Sequence, residues 1–562
     1  MTLLKPSFQH ILYVLFLCFG LTIQAQESKS LDLESQIDAV FGSFDDADKP
    51  GAAVAVVDHG KIIFKKGYGS ANLEYGIPNS PSTVFHIASV SKQFTVFSIL
   101  LLEQQGKLSF DDDIRKYIPQ VPDFGTMITL RHLASHTSGL RDQWNLLAMA
   151  GWRMDDVITK EHILKLVAKQ KELNFNPGDE YLYCNTGFTL LAEVVSRVSG
   201  MSFAEFTKAK IFNPLQMSST LFYDDHEKIV KNRAYSYGPN GNGYKKRVLS
   251  FANVGATSLF TTVEDLSLWS MNFAALTVGN ANIIKKMNTL AVLNNGNTFG
   301  GAYGQFVNTH KGLNQIQHGG ADAGYRSYIG RFPDQEFAVV VFSNYARSNA
   351  QGLALQVADL YLKDHFPKVN PSEAPKTEAP NFMSLSNKQL EKFSGHYWND
   401  NGTYARRIHV KNDTLRYYRN EFSESPLAPI SKNEFQMLNV NVDLKVKFKG
   451  AGNKRKMIVT VGTDDPVESD VFMLPDYTAN DLKGFNGEYY SEELSTYYTI
   501  INNDENLIIT HPRLSDFEIK PIKNDVFSGN GIVKFERNAS GKITGLRVSN
   551  GRVRNLWFQK VE

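Results

Sequence analysis

The spacing of hydrophobic and polar positions separates a mixed helical and stranded first part from a second part rich in short strands. Alternating apolar residues predict strands, and apolar residues at three- and four-residue spacing predict amphipathic helices. The predicted elements of the first part are a helix at 33–41, strands at 52–57 and 62–66, a helix at 188–198, strands at 327–332 and 336–342, and a helix at 350–362. Strands at both ends around a helical middle predict an α+β fold, an antiparallel sheet flanked by helices.

The second part repeats itself. Six positions recur 92 residues further along the chain, which indicates two copies of one all-β unit. They are Leu390, Gly395, Tyr397, Leu415, Pro429 and Phe435, which recur as Leu482, Gly487, Tyr489, Leu507, Pro521 and Phe527. We expect two barrel-like antiparallel repeats at 386–475 and 476–562, tethered to a first domain at 30–365 by a proline-rich linker at 366–385.

The first 25 residues have the pattern of a secretory signal peptide. Lys5 precedes an almost wholly apolar run at 11–23, and Ala25 is a plausible cleavage residue. The run is shorter than the roughly 20 residues of a membrane span. We therefore expect export to the periplasm or the extracellular space, with no stable membrane span after cleavage.

Composition and charge limit the classes of function that the chain can have. The 562 residues carry a net charge of +2, and no basic stripe is present, which argues against a nucleic-acid partner. A chain of this length is expected to form two or three domains. Of the two cysteines, Cys18 lies in the predicted signal peptide, so the mature chain keeps Cys184 alone and forms no intramolecular disulfide. The sequence leaves the oligomeric state open.

The strongest chemical signal is Ser89-Val90-Ser91-Lys92, set directly before an apolar helical run. Its serine hydroxyl and lysine amine stand three residues apart, on one face of a helix start. A serine needs a base to become a nucleophile, and a lysine can act as that base when burial and the helix dipole lower its pKa. The motif therefore supplies a candidate nucleophile and a candidate base.

Two further motifs follow in chain order: Tyr183-Cys184-Asn185, after Asn-Pro-Gly-Asp at 176–179, and His318-Gly319-Gly320, before Ala321. Other Tyr-x-Asn and His-x-Gly matches occur in the chain. The assignment of these two motifs therefore depends on their order, spacing and flanking sequence. Over about 35–365 the chain closely resembles the serine β-lactamase-like hydrolases, which include class C β-lactamases, D-aminopeptidases, alkaline D-peptidases and related carboxylesterases. The flanking matches lie at 85–88, 128–140, 255–259 and 318–326.

The resemblance implies a role for each motif residue. Ser89 would attack a carbonyl and form an acyl-enzyme, while Lys92 and Tyr183 would share the acid and base work. Asn185 would hold Lys92 and a substrate amide. The backbone N–H groups of Ser89 and Ala321 would bind the developing oxyanion.

The third motif distinguishes branches of the group. Ala321 is expected on an edge strand, where Gly319 and Gly320 let a substrate backbone approach. His318 replaces the lysine usual in β-lactamases, and a mostly neutral histidine does not attract the carboxylate of a penicillin. The resemblance therefore favours the D-aminopeptidase-like and esterase-like branches, and no counterpart of the deacylating glutamate of class A β-lactamases is evident.

We therefore predict an exported serine hydrolase that acts on peptides containing D-amino acids or on esters. Of these two substrate classes, the peptides are slightly favoured. A β-lactamase or penicillin-binding D,D-carboxypeptidase is the second interpretation, and a non-catalytic sensor or binding protein whose β repeats do the work is the third. No cofactor is expected. His132 and His136, four residues apart, and Cys184 are interpreted as structural residues, because no third zinc ligand is evident and Ser89 already explains the chemistry.

Overall fold

The computed structural model describes residues 32–367, 381–399, 404–420, 423–440, 442–462, 465–503 and 505–561. The predicted signal peptide and most of the proline-rich linker lie outside this range. The described chain divides into two compact units. The first contains the residues up to Leu140, Arg153–Ala168 and Phe175–Pro367; the second contains Arg141–Trp152, Lys169–Asn174 and the residues after Pro367.

The first unit is built on an antiparallel sheet of six strands. In spatial order these are Phe306–His310, Leu313–Asp322, Tyr325–Phe332, Phe337–Ser343, Ala52–Asp58 and Lys61–Tyr68. Ala52–Asp58 is buried along nearly its whole length because neighbours pair with both of its edges and its two faces are apolar. Shorter strands are Ser70–Asn72, Ile77–Pro78, Phe85–His86, Leu221–Phe222, Tyr237–Asn240, Gly243–Lys246 and Leu259–Thr261.

Helices cover both faces of this sheet. Up to residue 367 the described helices are 32–41, Lys92–Gln104, Leu130–Ala134, Gln143–Met149, Lys160–Lys169, Asn185–Ser199, Phe203–Thr207, Val263–Ala275, Ala281–Asn288 and Ala350–Leu362. The helices at 32–41 and Ala350–Leu362 share one apolar core with the sheet, in which Phe41 stacks on Tyr68 with ring centroids 4.7 Å apart. The predicted α+β fold is confirmed.

The second unit contains two closed eight-stranded barrels, which confirms the predicted barrel-like repeats. The strands of the first barrel are Gly395–Asn399, Tyr404–Lys411, Thr414–Asn420, Ser423–Pro429, Glu434–Met437, Leu444–Lys449, Lys456–Val461 and Val467–Phe472. Those of the second are Gly487–Ser491, Thr496–Asn502, Leu507–His511, Leu514–Lys523, Val526–Gly529, Gly531–Arg537, Ile543–Asn550 and Val553–Val561. Short helices, Asn387–Leu390 and Ala479–Lys483, precede them.

Equivalent residues of the two barrels make equivalent contacts. The Tyr397 hydroxyl donates to the Phe393 carbonyl at 2.7 Å, and the Tyr489 hydroxyl donates to the Phe485 carbonyl at the same distance. Gly395 and Gly487 both adopt positive φ, 150° and 140°, a conformation that side chains disfavour. The repeat therefore preserves hydrogen bonds and backbone geometry as well as composition.

Two segments inside the first 365 residues belong to the second unit, an arrangement that the sequence did not indicate. Arg141, fully buried, donates from Nη1 to both carboxylate oxygens of Glu493 at 2.8 and 2.7 Å. The Tyr498 hydroxyl donates to the Met149 carbonyl at 2.9 Å. The contiguous domain limits predicted from the sequence stay a prediction. Among the described residues, no helix is long and apolar enough to cross a membrane.

We expect the Arg141–Glu493 pair to matter for stability. Glu493→Leu removes the bidentate partner of the fully buried Arg141 guanidinium and leaves it the Glu172 carboxylate at 3.7 Å, so we expect a loss of up to about 3–5 kcal/mol. Urea and thermal unfolding measure this loss. Glu492→Leu is the matched control, because exposed Glu492 pairs with exposed Lys171 at 3.3 Å and such pairs contribute about 0–1 kcal/mol. Equal effects of the two substitutions would contradict the expectation.

Candidate active site

Ser89 lies in a short 3₁₀ turn, Ala88–Ser91, and Lys92 opens the helix that follows. Ala88 has a positive φ of 47°, an unfavourable conformation for a residue with a side chain. The Ser91 hydroxyl donates to the Ala88 carbonyl and accepts from the Leu259 N–H at 3.3 Å, which holds the turn. Ser89 stays partly exposed while its neighbours are buried. The turn therefore presents one hydroxyl to the surface.

Lys92 is fully buried and its amine joins three parts of the chain. Nζ lies 3.0 Å from Ser89 Oγ and donates to Asn185 Oδ1 and to the Ala256 carbonyl, both at 2.8 Å. An ammonium can donate to all three oxygens. A neutral amine can donate to Asn185 and Ala256 and turn its lone pair toward the Ser89 hydroxyl. These three contacts therefore suit both protonation states of the amine.

Tyr183 stands beside this amine, with Lys92 Nζ 4.9 Å from its ring centroid. The ring of His136 stacks on Tyr183 at 4.1 Å, and His136 Nδ1 accepts from the Cys184 N–H at 2.9 Å. The Cys184 thiol lies 3.3 Å from the Leu140 carbonyl and is buried. Sequence reasoning missed the stacking of His136 on Tyr183, although the 128–140 match contained this residue.

His132 and His136, the two histidines four residues apart, have different surroundings. His132 lies in the helix Leu130–Ala134, where its Nδ1 accepts from the Thr129 N–H at 3.2 Å in a capping box. His136 lies beyond the end of that helix, with a positive φ of 60°. The described part of the chain contains no cluster of three or more His, Cys, Asp or Glu side chains able to hold a metal ion.

His318 is buried near the same amine. Its Nδ1 donates to the Gly319 carbonyl at 2.6 Å, so Nε2 carries the lone pair, and Nε2 is buried without a described hydrogen-bond partner. Its ring centroid is 6.4 Å from that of Tyr183. Burial, reinforced by the charge of Lys92, lowers the pKa of His318 to about 3. The ring is therefore neutral around pH 7.

The strand Leu313–Asp322 brings the third motif against the nucleophile turn. A side chain at Gly320 would place its Cβ 2.3 Å from the Ile87 carbonyl oxygen, which explains the glycine. The expectation of an edge strand was wrong, because this strand is second in the sheet. Its outer neighbour, Phe306–His310, pairs only with 313–317. Ala321 consequently lies beyond the paired part and is exposed.

Asp322, the residue after Ala321, was also missed. Its carboxylate accepts from the Thr257 hydroxyl and lies 3.9 Å from His86 Nδ1. Burial raises the pKa of Asp322 to about 6, and the positive charge of Lys92 opposes this rise. The 318–326 match contains Asp322, but its partners come from positions 65 and more residues away, which local sequence does not indicate.

The candidate site brings together a hydroxyl, a buried amine, a tyrosine and a strand end at one turn. Serine hydrolases that transfer acyl groups use these parts. A family model described as Beta-lactamase matches residues 37–362, more than half of the chain. The chain therefore belongs to the beta-lactamase family.

Two curated relatives illustrate the family. A D-aminopeptidase from Gluconobacter oxydans is 28% identical over 334 residues, which cover 59% of this chain and 62% of the relative. Penicillin-binding protein 4* from Bacillus subtilis is 24% identical over 445 residues, 76% of this chain and 97% of the relative. The match thus spans less than two thirds of the D-aminopeptidase.

Solved structures share the fold. The octameric penicillin-binding protein homologue from Pyrococcus abyssi has a TM-score of 0.54 at 24% identity and covers 78% of this chain and 99% of its own. A D-amino acid amidase from Ochrobactrum anthropi, solved with L-phenylalanine amide, has a TM-score of 0.51 at 20% identity, over 59% of this chain and 99% of its own. At these identities the likeness concerns the fold alone.

The raised pKa of Asp322 predicts a pH-dependent effect on stability. Charging this buried carboxyl opposes folding; the penalty is absent below about pH 3.8, grows between there and pH 6, and is complete above. Asp322→Asn removes it, so we expect the variant to be more stable than the parent protein by up to about 3 kcal/mol at pH 7.5 and similarly stable at pH 4.

Thermal unfolding across pH 4–8 measures the difference, with Asp364→Asn at an exposed position as the control. If the difference in stability between the parent protein and Asp322→Asn stays constant across this range, the expected titration of Asp322 is ruled out.

Proposed function

We propose that the protein is exported and cleaves D-amino-acid-containing peptides or amides through an acyl-enzyme on Ser89. The observation that carries the proposal is the 3.0 Å contact between Lys92 Nζ and the Ser89 hydroxyl, within a fully buried amine site. The signal-like segment at 1–25, outside the described residues, supports export. Carboxylic esters remain the second substrate class of this proposal.

In the proposed first step, the neutral Lys92 amine takes the Ser89 proton as Oγ attacks the substrate carbonyl. The N–H groups of Ser89 and Ala321 bind the oxyanion, and the exposed position of Ala321 fits that task. Tyr183 relays the proton to the leaving amine. Water then attacks the acyl-enzyme by the reverse route, which releases the acid and restores Ser89.

His318 supports substrates without a carboxylate next to the cleaved bond. A neutral ring with an unpaired buried Nε2 offers a hydrogen-bond acceptor, which favours an N–H or ammonium group over an anion. The D-aminopeptidases among the relatives bear names that agree with this chemistry. A penicillin carboxylate would find no fixed positive charge at this position.

The test compares a D-alanine amide, its L enantiomer, a short-chain p-nitrophenyl ester and a penicillin, with intact mass and product release recorded together. We expect turnover of the D-amide or the ester and loss of at least about 10³-fold in kcat/KM in Ser89→Ala, as for other removed nucleophiles. Exposed Ser109→Ala is the matched control and should keep full activity. Turnover that survives in Ser89→Ala would contradict the proposal, and rapid penicillin hydrolysis would favour the β-lactamase interpretation.

A second variant tests the role of His318. His318→Lys places an ammonium where the neutral ring stands, so we expect slower cleavage of the D-amide together with faster acylation by penicillin. Stopped-flow acylation rates measure both effects. Unchanged selectivity between the two compounds would show that His318 does not set substrate charge.

A further inference from the structure

A cavity of about 710 Å³ lies within the first unit between the sheet and its helices. Its apolar wall comes from the helices Val263–Ala275 and Ala281–Asn288, from the loop at 214–216, and from the sheet. The apolar side chains that line it include Leu215, Leu268, Met271, Phe273, Ile284 and Phe332. The volume falls within the roughly 300–1,000 Å³ of small-molecule sites.

This cavity is separate from the candidate active site. Arg331, which lines it, lies five residues along its strand from Arg326, the partner of Ala321. At about 3.3 Å per residue, five residues correspond to roughly 16 Å. None of the residues assigned to acyl transfer is among those lining the cavity.

Arg331 is the unusual member of the wall. It is 5% exposed, its Nη2 donates to Gln305 Oε1 at 2.9 Å, and its guanidinium carbon lies 3.4 Å from the centroid of the Phe273 ring. Its Nε is buried without a hydrogen-bond partner among the described residues. A buried guanidinium with a donor left over normally has an anionic partner.

Carboxylates of the described chain do not supply that partner. Glu336 is the carboxylate lining the cavity; it is exposed, and no described carboxylate contributes to the pKa of Arg331. Burial alone accounts for the lowered pKa of Arg331, about 9, with no neighbouring charge contributing. Within the described part of the chain, the guanidinium beside this largely apolar cavity is therefore met by a neutral amide oxygen and a ring face.

We propose that this cavity binds a small monocarboxylate with an apolar tail, its carboxylate on Arg331 and its tail along the helix side chains. The guanidinium N–H groups that Gln305 does not take are donors for a carboxylate, and the ring of Phe273 packs against the guanidinium. Charge complementarity therefore favours an anion, and the apolar wall favours a hydrocarbon body. The site is independent of the proposed hydrolase activity.

The test uses the full mature protein and octanoate, titrated by isothermal calorimetry, with 1-octanol as the uncharged probe of equal tail length. We expect one saturable octanoate site in the millimolar range or tighter. Octanoate should bind at least about tenfold more tightly than octanol, because charge-assisted hydrogen bonds are the strong ones. Ser89→Ala should bind octanoate as the parent does, since the cavity lies apart from the nucleophile.

Two variants locate the site. Arg331→Met should weaken octanoate binding at least about tenfold and leave octanol unchanged, because only the anion loses a partner. Leu268→Trp keeps the arginine and places a larger ring in the cavity wall, so it should weaken the binding of both compounds; it also covers the case in which Arg331→Met fails to fold. Arg407→Met, at an exposed position in the first barrel, is the control and should bind normally.

Three results would overturn the proposal: equal affinity for octanoate and octanol, octanoate binding that survives both cavity variants, and no saturable binding to the parent protein. Binding that disappears when Ser89 is replaced would also overturn it, because the ligand would then occupy the active site.

Discussion

The first unit depends on the burial of a single amine. Lys92 is inaccessible to solvent, and its Nζ contacts Ser89, Asn185 and Ala256, which lie up to 164 residues from Lys92 in the chain. Burying a charge without partners is costly, so these oxygens must arrive together. The helix that Lys92 opens and the helix that begins at Asn185 are consequently tied to each other and to the segment at 256.

The remaining groups of the candidate site lie on the sheet, and strand pairing rather than neighbouring sequence places them there. The strand Leu313–Asp322 carries His318, Gly320 and Ala321 past the end of its outer neighbour, so its last part is open on one side. Gly320 permits contact with the nucleophile turn that any side chain would prevent. A free strand end beside the Ser89 hydroxyl suits the extended substrate of the proposed function.

Motifs and periodicity predicted the parts that depend on neighbours in sequence. The α+β fold, the two β repeats and the position of Ser89 and Lys92 at a helix start were accessible because spacing and hydrophobic pattern encode them. Asp322, the stacking of His136 on Tyr183 and the pairing of Arg141 with Glu493 were not, because each depends on residues 47 to 352 positions apart. The edge-strand error has the same origin, since sheet order is a long-range property.

Three buried cations show how differently this protein balances charge. Lys92 has three oxygens around its amine, and Arg141 has both oxygens of the Glu493 carboxylate. Arg331 has one neutral amide oxygen and a ring face. A hydrophobic residue would fill the place of Arg331 at lower cost if packing were its only task. The contrast with the other two cations is therefore an argument that the cavity beside Arg331 is built for an anion.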